Sequence, residues 1–229
     1  MWGMGKIANR MTYMGDDVDD GEYAQSISYS KFSKMAKTGD LILTSASAIT
    51  SVSRMISKSI WSHCGIVWKD PKTGKLYEWS SHNHSEDVHN TEGIVNFGGT
   101  QLVPLSYLAS DNGCLFWRRV NLSVDQQDKL NKYVEATKYK VTFSDSLEFV
   151  AMLTPVTAKL FNGFGSGMAC CHTVAASYIA ANVIALDRHI TQFTPSSFSD
   201  TGDVSWQVPV DDHVYMVVGF DTRDLINLV

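Results

Sequence analysis

The chain is expected to adopt an α+β fold in which a small antiparallel sheet packs against a helix carrying a cysteine at its N-terminus. Three observations lead there. Two short strands, Ser62 to Trp68 and Lys75 to Ser80, flank Lys69-Asp-Pro-Lys-Thr-Gly74, a strong turn signal. About a hundred residues later a glycine-rich stretch (Gly163, Gly165, Gly167) runs into Ala169-Cys-Cys-His-Thr-Val-Ala-Ala176, an alanine-rich helical segment. The first strand carries a histidine, His63, and the helix opens on cysteine, so the two segments supply an imidazole and a thiol.

Residues 1–29 stand apart as an arm. Asp16-Asp-Val-Asp-Asp20, then Gly21 and Glu22, form a solvated acidic patch without apolar period, a flexible or partner-binding tail. Residues 30–229 form the domain. Tyr29 to Lys37 suggests a short helix with Gly39 placed to end it, and Leu41-Ile-Leu43 a buried strand. Ile49, Val52, Met55, Ile56 and Ile60 fall near helical spacing within Ala46 to Ile60. After the hairpin, residues 81–98 are polar and read as a long loop. Gln101 to Leu105 and Cys114 to Val120 are further strands. Ser123 is a good N-cap for a helix to Thr137, with Leu130, Tyr133 and Val134 on one face. Phe149 to Phe164 is apolar and interrupted by Pro155. The cysteine helix follows, and Val214 to Phe220 is the last strand.

Composition narrows the function classes. The chain has 229 residues, 44% hydrophobic and 11% aromatic, enough for an ordinary globular core. A net charge of −5 with no lysine/arginine cluster argues against nucleic-acid binding. Four cysteines (Cys64, Cys114, Cys170 and Cys171) make no disulfide framework in a chain this long, and Met1-Trp-Gly-Met-Gly lacks a secretory pattern. A reducing, cytoplasmic compartment is expected. The longest near-apolar run, Met168 to Leu186, contains His172, Thr173, Ser177 and Asn182 and is too polar to span a membrane.

The candidate catalytic residues are Cys171, His63 and Glu78. A thiol at the positive end of a helix dipole favours the thiolate, and a nearby histidine can take its proton. Cys171, Val174, Ala175 and Tyr178 form one stripe toward the sheet, which selects Cys171 over Cys170. If the hairpin sets His63 opposite Glu78 or Ser80, Glu78 shares the histidine's face within about 5 to 8 Å and can orient the ring. A register shifted by one sends it to the other face. His82 is the rival orienting residue. First-turn N–H groups of the helix could help hold an oxyanion.

Gly39-Asp-Leu-Ile-Leu43, Ser62-His-Cys-Gly-Ile-Val67, Tyr77-Glu-Trp79 and Cys171-His-Thr-Val-Ala175 together resemble the circularly permuted papain-like hydrolases. This is the NlpC-type branch with YiiX-like and poxviral proteins and, more distantly, lecithin–retinol acyltransferase. Pro195-Ser-Ser-Phe198 looks like the segment that follows the cysteine helix there. The resemblance covers roughly residues 38–200. It implies a permuted papain-like fold and a cysteine-dependent hydrolase or acyltransferase on amide or ester bonds, with Cys171 as nucleophile, His63 as proton shuttle and Glu78 as orienter.

No cofactor and no metal is expected on this reading. His82, His84 and His89 sit in a polar stretch without a paired cysteine motif, and adjacent Cys170, Cys171 and His172 diverge on a helix. The expected substrate is a lipid or a peptide, with lipid favoured if Phe149 to Phe164 lines an apolar cleft. The competing class is a catalytically silent structural or virion-associated protein that docks through the N-terminal arm.

Overall fold

The computed structural model describes residues 25–45, 61–82, 98–110, 114–142 and 169–219. The expected helix over Ala46 to Ile60, the apolar stretch Phe149 to Phe164, His84, His89 and most of the acidic arm lie outside these residues.

Seven strands join in one mixed sheet: β1 (Ser26–Ser28), β2 (Leu41–Ser45), β3 (His63–Lys69), β4 (Leu76–His82), β5 (Gly99–Pro104), β6 (Cys114–Arg118) and β7 (Tyr215–Val218). Their order is β1-β7-β6-β2-β3-β4-β5. The β1–β7 pair is parallel and the others antiparallel. The fold is thus α+β, but its sheet is larger and more mixed than the small antiparallel one expected. Ser26–Ser28, within the expected arm, belong to that sheet as a three-residue edge strand, too short to show a period.

Four described α-helices accompany it: α1 (Tyr29–Met35), α2 (Leu105–Ser110), α3 (Val124–Thr137) and α4 (Cys170–Ala180). Helix α3 starts where its cap dictates. Ser123 Oγ accepts from Gln126 N, and the Gln126 side chain accepts from Ser123 N, a reciprocal capping box. Gly39 has φ +99°, in the turn before β2 rather than as the cap of α1, which ends at Ala36. That positive φ is a conformation glycine adopts without strain.

Strand alternation divides the core in two. Leu41, Leu43, Cys64, Ile66, Trp79 and Phe116 turn to one face and pack with Val174, Ala175 and Tyr178 of α4. Ile42, Val67, Leu76, Leu115 and Trp117 turn to the other, beneath Phe32 and Ala36. Helix α4 is also fixed by polar bonds. Trp79 Nε1 donates to Ser177 Oγ at 2.9 Å, and Tyr178 Oη donates to the Gly39 carbonyl at 2.9 Å. Both bonds bury an aromatic together with a satisfied polar tip.

Candidate metal centre

The β3–β4 register decides which side chains meet. Val67 stands opposite Glu78 and Ile66 opposite Trp79. Carried toward the open end of the hairpin, the same register sets His63 across from His82, not from Glu78 or Ser80. Because side chains alternate along a strand, Glu78, Ser80 and His82 still share one face with His63, Gly65 and Val67.

Glu78 therefore starts opposite Val67 and must cross position 65 to reach His63. It can, because residue 65 is glycine. A Cβ there would stand 2.2 Å from Glu78 Oε1 and 2.4 Å from its Cγ, so the carboxylate runs through the space a side chain would fill. Oε1 then lies 3.0 Å from His63 Nε2. The other oxygen, Oε2, lies 3.0 Å from His82 Nε2. The two imidazole rings stand 4.9 Å apart, centre to centre. Glu78 is fully buried, the His82 side chain is 2% exposed and that of His63 20%, so the cluster opens on the His63 side.

Burial alone would raise the Glu78 pKa. The charge and hydrogen bond of His63, with those of His82, outweigh burial and bring it down to about 2. For His63 burial works against the imidazolium, but Glu78 and then Cys170 prevail and hold its pKa well above the usual imidazole value.

One donor atom from each of His63, Glu78 and His82 lies within 4.8 Å of the other two. Two imidazole nitrogens and a carboxylate are a familiar donor set for zinc-type ions. A tetrahedral ion with bonds of about 2.0–2.1 Å separates its donors by about 3.3–3.4 Å. Each histidine lies 3.0 Å from a different Glu78 oxygen, and one donor atom from each of the three residues lies within 4.8 Å of the others, so side-chain adjustments of about an ångström would bring the set to such spacings and the residues present fit such an ion.

This cluster corrects the functional expectation. A cysteine-centred hydrolase or acyltransferase with a Cys-His-Glu triad is not what converges here; a His-Glu-His ligand set is. With it go the thiol-protease description and its silent or virion-associated alternative. The thiol that bears electrostatically on His63 is that of Cys170, the first residue of α4, which helps to raise the His63 pKa. Cys171 is a free thiol buried in the core, its pKa driven well up first by the neighbouring Cys170 side chain and then by burial. Helix α4 is buried over most of its surface, with Cys170, His172, Thr173 and Ser177 as enclosed as Val174 and Tyr178, so enclosure does not single out Cys171.

His82 is the site residue the sequence reading left in second place. The signal was present, since i and i+4 on one strand share a face and so place His82 with Glu78. It was obscured because Ser81-His-Asn-His84 reads as polar loop, whereas β4 extends through His82.

Among the described residues no helix is long and apolar enough to cross a membrane. No family model matches the chain, and no curated protein does. Among solved structures it is similar to the crystal structure of metalloprotein yiiX (DUF1105) from Escherichia coli O157:H7, at 18% identity and a TM-score of 0.44. That match covers 68% of this chain and 78% of the other, a distant likeness.

Proposed function

We propose that the protein binds one divalent transition-metal ion of the zinc type through His63 Nε2, the Glu78 carboxylate and His82 Nε2. The observation that carries this is the convergence of these three donors within 4.8 Å on one face of the β3–β4 hairpin. Three protein donors leave a fourth position for water or a substrate atom, the pattern of reactive rather than purely structural zinc sites. When bound, such an ion would act as a Lewis acid on a carbonyl or phosphoryl oxygen, or acidify its bound water. The protein's part is electrostatic and steric. Glu78 offsets the ion's charge, the two histidines set its place, and burial on the Glu78 and His82 side confines access to the His63 side.

The test is metal loading of the full chain. After chelator treatment and equilibration with Zn(II), elemental analysis is expected to find about one ion per chain in wild type. His82→Ala and Glu78→Gln should each bind at least about 100-fold more weakly, as each loses one of three donors. Zinc retention by both variants at wild-type affinity would refute the assignment.

A further inference from the structure

A small open cavity lies on the α1 side of the sheet, at the end of β4 away from His82. Its volume is about 290 Å³, close to the lower bound for small-ligand sites. Three elements build it. Helix α1 contributes Tyr29 and Ser33, β4 and the turn before it Lys75, Leu76 and Tyr77, and the start of α2 Ser106. The lining thus holds one ammonium group, four hydroxyls and no carboxylate, in a chain whose net charge is −5. Ser106 distinguishes the cavity from a chance surface hollow. It is 6% exposed, yet its hydroxyl has no hydrogen-bond partner among the described residues. A buried hydroxyl is normally paired, and an unpaired one calls for a ligand or an ordered water. Lys75, exposed at the rim, has no ion-pair partner among the described residues. Ser33 Oγ donates only to the Ser30 carbonyl, at 3.1 Å, and can turn from that exposed bond to a ligand.

We propose that this cavity is a second ligand site, which takes a small phosphate monoester through Lys75 and the hydroxyls of Ser33, Tyr77 and Ser106. The ammonium supplies a charge-assisted bond to the anion. A phosphate monoester offers three terminal oxygens to donors that arrive from α1, β4 and α2, whereas a carboxylate offers two in one plane. Leu76, 8% exposed, gives the carbon part of the ligand an apolar floor. The site stands apart from the donor cluster. Leu76 and His82 are six residues apart on β4, about 20 Å along the strand, so the proposal does not depend on the metal reading.

The test titrates the full chain, chelator-treated and free of zinc, with glycerol 3-phosphate at about pH 7.5, where the phosphate is chiefly a dianion. Amide proton–nitrogen spectra should show saturable shifts clustered at Ser33, Lys75 and Ser106, with His63 and His82 unmoved. Lys75→Met should weaken binding by about 10-fold or more and Ser106→Ala by about 3- to 10-fold, while both variants keep the wild-type Tm. Glycerol should not bind. Glycerate, a carboxylate of similar size, should bind at least about fivefold more weakly than the phosphate. No saturable shift at these residues, or wild-type affinity in both variants, would overturn the site. Glycerate binding as tightly as the phosphate would overturn the ligand class. Each of these results leaves the metal reading where it stands.

Discussion

A side chain at position 65 would occupy the path of the Glu78 carboxylate, with a Cβ 2.2 Å from Oε1 and 2.5 Å from Cδ. Gly65→Ala is therefore expected to push Glu78 off His63. It should cost about 1–3 kcal/mol in denaturant unfolding and lower zinc affinity as well. An alanine variant with wild-type stability and affinity would show that the carboxylate has another route. Protonation at the same residues sets the pH dependence. Glu78 is held down to about 2, so its stabilisation of the metal-free protein is present above its ordinary value of 4.5 and lost as pH falls toward 2. His63 is shifted the other way, well above 6.5. Its stabilisation is full below the ordinary imidazole value and declines as pH rises through the raised one. A metal ion needs the neutral ring, so proton competition begins at higher pH than at an ordinary histidine site. Zinc affinity should therefore begin to fall on acidification while the pH is still above the ordinary imidazole value of 6.5, which a chelator-competition series will show; affinity that stays flat until pH falls below that value would contradict the account.

At the scale of elements, Asp40 anchors the turn into β2. Its carboxylate accepts from Lys37 N at 2.9 Å, Trp117 Nε1 at 2.9 Å and Val120 N at 3.1 Å, joining the α1–β2 turn to β6 and the segment after it. Burial raises its pKa to about 6 against those bonds. Stability should therefore decline as pH rises from about 4 to 6 on its account. Asp40→Ala leaves three donors without their acceptor and should cost roughly 2–4 kcal/mol, measurable by urea unfolding. Less than about 1 kcal/mol would mean that water replaces the carboxylate without penalty.

The β2, β3, β4 and α3 segments were legible because their signals are local: alternation, a Pro-Gly-bearing turn, a serine cap. Helix α4 was legible as a helix but not in its orientation, since it is buried over most of its surface and its less enclosed residues, Ala176, Ile179 and Ala180, are apolar, so it carries no polar face to read. The His63–Glu78 contact was visible through parity alone. Its reach depended on the empty volume over Gly65, and the third ligand on a strand end hidden in a polar run. Those are tertiary facts, and they turned a thiol site on paper into a metal site in space.

Over the described residues, the sheet separates two cores, one under α4 and one under α1, and the donor cluster sits at the end of β3 and β4 on the face that carries Val67 and Leu76. An ion there would link two strands already paired, so it should stabilise without being needed for folding. Zinc at about 100 times its dissociation constant should add about 2.7 kcal/mol, seen as a higher Tm that His82→Ala abolishes. The most direct test of the central claim is anomalous diffraction at the zinc absorption edge from zinc-loaded crystals of the full chain. The account predicts a single strong peak about 2.0–2.1 Å from His63 Nε2 and His82 Nε2 and about 2.0–2.2 Å from a Glu78 oxygen. A peak held by other residues, or none at this cluster at full loading, would contradict it.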